Sequence, residues 1–338
     1  MTLAPCVGID LGGSNLRAAL FRGSAPDRSV PVRIIRQAVG TQRDPQSVCA
    51  AIVALVHELV AGPDDSQLGE PAAELAPIAV GIGVAAMLRD RRGTVTNAPN
   101  LGWRDVAFGP MLAAALGPRF AVAMYNDVNA IAWGEFAYGA GRGARDMLAV
   151  FVGTGIGAGF IANSQLVEGT SSCAGELGHC KIAWGVDAVP CACGSRGCVE
   201  AYAGGASIMK RIQRDLADGL SLATVIAAGS IDAATPSHVD QAAADGDVWA
   251  LELWQEIGTA LAVAIGNALA MLNCERLVLG GGMLGRTPML LEHMLTALEV
   301  VAPRAVLEPL TVVTAELGDD AGLIGAADLA RLGVSIIR

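Results

Sequence analysis

Residues 6–11 form a short apolar run interrupted at Asp10. Gly12-Gly13-Ser14-Asn15 follow, and a second apolar run occupies 16–21. Two such runs around a glycine-rich turn predict a β-hairpin. Residues 32–37 add a third strand. Pro45 opens a helical period with Val48, Ile52, Leu55, Val56 and Leu59 on one face. The stretch 63–77 is acidic and carries three prolines, which predicts a surface loop. Strand 78–84 leads to an Asn- and Pro-rich loop over 94–102, a helix over 106–116 and a strand over 121–125. After Asn126-Asp127 a helix is predicted over 128–136. A second hairpin joins 147–152 to 159–163 through Gly153-Thr154-Gly155-Ile156-Gly157. Residues 171–200 show little periodicity. Beyond them come a long helix over 248–272, strand 276–279, helix 288–298, strand 310–314 and a C-terminal helix from about 321. Strands alternating with helices predict an α/β protein. The two hairpins begin about 140 residues apart, too far for a short tandem repeat, so a duplicated, two-lobed architecture is expected.

The length, 338 residues, fits two domains and allows a large core without disulfides. Lys and Arg total 23 against 33 Asp and Glu, a net charge of −10. That excludes a protein devoted to polyanions, so no nucleic-acid partner is expected. The mean hydropathy of +0.47 suggests a membrane at first. However, the most apolar run, 257–272, is short, carries Asn267 and follows Glu252, Gln255 and Glu256. Asp10 breaks the first apolar run, so no secretory signal is read either. A cytoplasmic protein with no membrane partner is the expectation.

The 42 glycines and 8 cysteines carry the chemistry. Phosphates are held by converging backbone N–H groups, which glycine lets approach closely. The turns Gly12-Gly13-Ser14-Asn15 and Gly153-Thr154-Gly155-Ile156-Gly157 fit that use, each with a hydroxyl donor, Ser14 or Thr154. Asp10 precedes the first turn, where it could hold Mg2+ through water. Ordinary hairpin turns are the alternative for each taken singly. No Gly-Lys pair exists, so there is no P-loop, and the chain has two lysines, Lys181 and Lys210. A third cluster, 280–285, matches G-x-G-x-x-G and raises a dinucleotide reading. The acidic residue at the right distance, Glu299, falls in a predicted helix, so the cluster better suits the nucleoside end of a nucleotide site. Asp127, after a strand and before a helix, could accept a hydroxyl proton or simply cap the helix.

Half the cysteines lie between 180 and 198, with His179 just before. His179, Cys191, Cys193 and Cys198 suit a closed tetrahedral Zn2+ site. Disulfides fit poorly, because alternate cysteines cannot easily pair. Buried thiols are the other alternative.

Together these residues resemble the ROK family of repressors and sugar kinases. The matching pieces are Asp10-Leu11-Gly12-Gly13-Ser14-Asn15, Asn126-Asp127, the 153–159 glycine run, Glu176-Leu177-Gly178-His179, and the segment from Cys191 to Glu200. Gly280-Gly281-Gly282 and residues 321–327 complete the series. The resemblance implies an actin-like, ribonuclease H-like duplicated ATPase fold with an active-site cleft between the lobes. Its boundaries would be 1–118 for the smaller lobe and 119–317 for the larger, with a helix over 318–338 packing back on the first. It implies ATP-dependent phosphorylation of a hexose hydroxyl, glucose foremost, with N-acetylglucosamine, N-acetylmannosamine or fructose as alternative acceptors. Asp127 would be the catalytic base. Asn100, Asn126, Asp127, Glu176, His179 and Glu200 would contact the sugar. Asp10, Gly12, Gly13, Ser14, Asn15, Gly153, Thr154, Gly155, Gly157, Gly281 and Gly282 would hold ATP and Mg2+. His179, Cys191, Cys193 and Cys198 would bind a structural Zn2+. A homodimer or homotetramer is expected. Repressors of the family carry a DNA-binding winged helix ahead of the first turn, for which nine residues leave no room. A non-catalytic sugar-sensing regulator is the alternative from another class, and an intact Asp127 argues against it.

Overall fold

A computed structural model describes residues 5–22, 29–61, 77–89 and 92–333. Most of the expected loop over 63–77 and the last five residues of the expected C-terminal helix lie outside them. Two compact units are present. The first comprises residues 1–143, 159–174 and 315–338; the second comprises 144–158 and 175–314.

The first unit is built on a five-stranded sheet of order β3-β2-β1-β4-β8. Its strands are β1 (Cys6–Leu11), β2 (Asn15–Phe21), β3 (Pro31–Ala38), β4 (Ile78–Val84) and β8 (Phe120–Asn126). The hairpin strands β1, β2 and β3 are antiparallel, whereas β1, β4 and β8 run parallel. Strand β8 therefore belongs to the first sheet, and the first unit runs past the expected boundary at 118/119 to residue 143. A small antiparallel sheet, β5 (Met87–Leu88), β6 (Thr94–Ala98) and β7 (Trp103–Ala107), replaces the expected loop over 94–102. Val95 and Ala98 are buried and hold β6 on the core, so the Asn- and Pro-rich signature describes only the β6–β7 turn. Val106 lies in β7, and the helix expected from there begins at Phe108.

Period-2 alternation explains the layers. Val7, Ile9 and Leu11 of β1 and Val80, Ile82 and Val84 of β4 face helices α1 (Pro45–Val60) and α2 (Phe108–Leu116) in one core. Helix α1 starts where Asp44 accepts the Ser47 N–H and Pro45 takes the first turn. The other face of the sheet carries Gly8 and Gly81. A Cβ on either would sit 2.0 or 1.8 Å from a carbonyl oxygen of the C-terminal helix, Ala321–Arg331. Glycine there lets that helix lie directly on the sheet beside α3 (Asp127–Tyr138).

A second five-stranded sheet has the order β11-β10-β9-β12-β13. Its strands are β9 (Met147–Val152), β10 (Ile156–Ala162), β11 (Gln165–Leu166), β12 (Arg276–Gly280) and β13 (Thr311–Thr314). Strands β9, β12 and β13 and the start of β10 are residues of the second unit, and the rest of β10 and β11 are residues of the first. Strands β9, β12 and β13 run parallel, so each sheet combines a hairpin with parallel strands in the same order. That repeated order is the duplication expected from the two hairpins. The helices of the second unit are α4 (Val199–Ala203), α5 (Gly205–Ala217), α6 (Leu222–Ala228), α7 (Pro236–Ala244), α8 (Val248–Leu272), α9 (Pro288–Val301) and α10 (Arg304–Leu307). The C-terminal helix is therefore α11. Helix α8 is long and apolar enough to cross a membrane by length and composition alone. Its stripe of Leu253, Trp254, Ile257, Leu261, Ile265 and Leu269 is buried, as in a core helix.

Candidate active site and metal centre

In the first unit, β1 delivers Asp10 at its carboxyl end, and the Gly12–Ser14 turn follows. The turn closes with the Gly12 N–H donating to the Asn15 carbonyl at 2.9 Å. Ser14 and Asn15 are exposed. A cavity of about 660 Å³ opens on this turn and is lined also by Arg17, Arg36 and Asp319. Arg17 donates to the Asp319 carbonyl at 2.6 Å and to the Asp320 carboxylate, and lies 3.9 Å from Asp10. Burial pushes the Asp10 carboxyl up to about 6; Arg17 opposes the shift, and Asp127 and Asp319 add to it. Sequence reasoning missed Arg17 and Asp319. Arg17 sits in plain view two residues past the turn, but its partner is some 300 residues away.

Asn126 and Asp127 stand where β8 passes into α3. Asn126 is the N-cap: its Oδ1 accepts the Val128 and Asn129 N–H groups at 3.0 and 3.2 Å. Its amide also donates to the Ala86 carbonyl at 3.3 Å. Capping is therefore done by Asn126, and Asp127 occupies the first helical turn, where the positive end of the helix dipole favours a carboxylate. Strand β4 passes close by at Gly83, whose Cβ would sit 3.6 Å from the Asp127 Cα. Asn100 lies in the β6–β7 turn and packs on the first glycine turn; a Cβ on Gly13 would come within 2.6 Å of the Asn100 Cβ. Arg43 holds Asn100 in place by donating to its carbonyl at 3.1 Å. Asp10, the glycine turn, Asn100, Asn126 and Asp127 are thus all carried by the first unit.

The second unit carries the rest. Its glycine turn spans Gly153–Gly155, since Ile156 and Gly157 already belong to β10. The Gly153 and Thr154 carbonyls accept N–H groups of Gly205 and Ala206 at 3.0 and 2.9 Å. The Gly280–Gly282 cluster ends β12, beside β9. Gly281 has φ +93°, and a Cβ there would lie 2.3 Å from the Val152 carbonyl oxygen, so the residue is held to glycine. Glu299 lies inside α9, ahead of β13, which removes the dinucleotide reading of this cluster.

All eight cysteines are thiols. The donor atoms of His179, Cys191, Cys193 and Cys198 lie within 4.8 Å of one another. The Cys193 and Cys198 sulfurs are 3.7 Å apart, and the Cys191 sulfur is 3.9 Å from His179 Nδ1. A tetrahedron with sulfurs about 2.3 Å from its centre has edges of about 3.8 Å, so the set could hold Zn2+. With Nδ1 on that side, Nε2 points to the Glu176 carboxylate at 3.8 Å. His179 thus presents Nδ1 to the cysteine cluster and Nε2 to Glu176. Burial raises the Glu176 pKa, His179 opposes the shift and Glu200 adds to it. Lys181, also unanticipated, donates to the Cys198 sulfur at 2.9 Å and the Ser195 hydroxyl at 2.6 Å.

Comparison with known proteins agrees with this arrangement. The ROK family model matches residues 6–332. The glucokinase of Streptomyces coelicolor is 29% identical over 329 residues, covering 96% of this chain and 97% of that protein. The bifunctional enzyme NanE/NanK of Brucella melitensis is 35% identical over 227 residues, 67% of this chain and 38% of that protein. Among solved structures, a ROK family glucokinase from Streptomyces griseus in complex with glucose and AMPPNP superimposes with a TM-score of 0.74. It is 28% identical, with 98% of this chain and 100% of that one covered. With the family motifs seated on a duplicated α/β framework, this chain belongs to the ROK family and is an ATP-dependent sugar kinase of the actin-like ATPase fold.

Proposed function

We propose that the enzyme transfers the γ-phosphoryl group of ATP to glucose, giving glucose 6-phosphate. The carrying observation is that Asn126, not Asp127, caps α3, so the cap does not account for the carboxylate in that first turn. Asp127 accepts the proton of the sugar hydroxyl as the new P–O bond forms. Asn100 and Asn126 position the sugar on the first unit; Glu176, His179 and Glu200 accept or donate to its other hydroxyls. The Gly12–Ser14 and Gly153–Gly155 turns, with Ser14 and Thr154, bind the phosphates, while Gly281 and Gly282 border the nucleoside. Mg2+, held through Asp10, supplies charge neutralisation when bound. His179, Cys191, Cys193 and Cys198 would hold a Zn2+ with four protein ligands, and the ion would then brace the loop that presents Glu176, His179 and Glu200 rather than take part in the chemistry. The glucokinases matched over nearly the whole chain favour glucose.

A second acceptor, N-acetylmannosamine, is favoured by the higher local identity to the NanE/NanK enzyme. An ATP-coupled assay over glucose, mannose, fructose, N-acetylglucosamine and N-acetylmannosamine separates the readings by kcat/KM. Highest kcat/KM on glucose supports the proposal; a preference for an N-acetylated hexose moves it to the second reading. Sugar binding without turnover on any member of the panel points to a regulator instead. We also infer a homodimer or homotetramer, for which Leu222, Ile226, Met271 and Val300 offer exposed apolar side chains on the second unit, and a cytoplasmic location, from the kinship to glucokinases.

A further inference from the structure

One side chain touches both the second glycine turn and the segment that carries Glu176 and His179. Glu200 lies in the first turn of α4. Its Oε2 accepts the Ile156 N–H at 2.9 Å. Two glycines make room for that oxygen. A Cβ on Gly155 would come within 2.4 Å of it, and one on Gly178 within 3.3 Å. Gly178 lies between Glu176 and His179 in sequence, so the Glu200 carboxylate is wedged between the turn and the sugar-binding segment. The turn closes on itself through the Gly153 N–H to the Gly155 carbonyl at 2.9 Å, and its Gly153 and Thr154 carbonyls accept from Gly205 and Ala206. Glu200 restrains the Ile156 N–H. Ile156 is only 6% exposed, so its N–H has little access to water if that acceptor is withdrawn.

We propose that Glu200 is a positioning residue for the Gly153–Gly155 turn in addition to contacting the sugar, so that sugar occupancy and nucleotide affinity are coupled through its two carboxylate oxygens. This rests on reading the turn as a nucleotide-phosphate site. Oε2 fixes the turn while Oε1 is available to a sugar hydroxyl, and anything that orders one oxygen orders the other. Such coupling is reciprocal: sugar tightens nucleotide binding by the factor by which nucleotide tightens sugar.

The test is the affinity for Mg2+-AMPPNP measured by calorimetry in the absence of sugar. E200D keeps the charge but withdraws the acceptor by one methylene, and its nucleotide affinity should fall about tenfold. E200Q keeps an acceptor oxygen in place and should stay close to wild type. E176Q, which changes a sugar contact that does not touch Ile156, should leave nucleotide affinity unchanged while weakening glucose. A residue that served sugar alone would move none of these nucleotide affinities. Wild-type affinity in E200D overturns the inference, as does an equal loss in E176Q. Should E200D fold poorly, amide exchange in the wild type decides: glucose alone should slow exchange at Ile156, and no slowing overturns the coupling. Wild-type protein with no nucleotide affinity removes the phosphate-site reading beneath the inference, and the inference with it.

Discussion

In the proposed mechanism Asn126 and Asp127 divide two tasks that one residue cannot do at once. A capping oxygen is spent on backbone N–H groups, as Asn126 Oδ1 is on Val128 and Asn129. A catalytic base must offer its oxygen to a substrate proton. D127N should therefore lower kcat by about 10²–10⁴-fold, the usual span for a lost general base. The cap is untouched, so glucose affinity by calorimetry should stay within a few-fold and the melting temperature should hardly move. Turnover near wild type in D127N would show that the base lies elsewhere. Asp10 makes a pH prediction. Its carboxyl is held near 6, mainly by burial, so it is protonated below that value and then cannot hold a cation. In the free enzyme kcat/KM for Mg2+-ATP should fall as pH drops through about 6, a limb that reports free-enzyme groups. The stability sign is the reverse. A folded-state pKa above the unfolded value stabilises the fold at low pH, and that contribution is lost as pH rises through about 6. D10N should thus melt higher than the wild type at pH 7.5 without ligand, and the gain should vanish near pH 4. An acid limb that persists unchanged in the residual activity of D10N would assign it to another group.

At the scale of elements, the segment from Glu176 to Glu200 has no long helix or strand to hold it. It is held by backbone hydrogen bonds such as Cys191 N–H to the Ser195 carbonyl at 2.8 Å, and by the four donors gathered within 4.8 Å. Metal removal should therefore act locally. Purified protein should contain about one zinc per chain by mass spectrometry of the metal. Chelation, or C198S, should raise KM for glucose at least tenfold and should also weaken nucleotide binding through Glu200 and the Gly153–Gly155 turn, while the first unit's own turn is untouched. Zinc well below one per chain in untagged protein would remove the metal from the account. This segment was legible in the sequence because ligand chemistry does not depend on secondary structure: the spacing of His179, Cys191, Cys193 and Cys198 is informative by itself. The long elements were legible for the opposite reason, since α1 and α8 repeat their apolar positions over many turns. The sheet of β5, β6 and β7 was not. Its strands are two to five residues long, and Asn97, Pro99 and Asn100 are turn formers whose neighbours pair only because Val95 and Ala98 are buried. Glu200's bond to Ile156 was illegible too, because 44 residues separate donor and acceptor.

The molecule as a whole is assembled out of chain order, which no local pattern reports. The first unit takes its sheet from residues before 127 and one of its covering helices, α11, from residues after 320. Every residue of α11 from Ala321 to Ala330 is buried, against β1, β4 and α3. The boundary expected at 118 left β8 outside the first unit, because a strand's own residues do not report which sheet it joins; the return of the C-terminal helix to the first unit was expected from the family resemblance. The consequence is testable. Removing the chain after Leu317 deletes no residue assigned to sugar, phosphate or metal. It exposes the face of the sheet at Gly8 and Gly81, and it withdraws Leu323, Ile324 and Leu329. Those three side chains alone forfeit about 5–9 kcal/mol of burial, comparable to the whole stability of a domain, about 5–15 kcal/mol. Asp328 goes with them, and with it the acceptor of the Trp133 and Tyr138 hydrogen bonds at 2.9 and 2.8 Å, which tie down the helix that Asp127 begins. The truncated chain should be insoluble or should lose cooperative unfolding, with no measurable kinase activity. A soluble, active product melting within a few degrees of the full chain would show that the first unit is complete without its last helix. A milder variant separates packing from the loss of the segment: Gly81→Ala drives a methyl into the Ala326 carbonyl at 1.8 Å. It should destabilise the protein by about 1–3 kcal/mol, and lower activity only to the extent that α3 and Asp127 shift with α11.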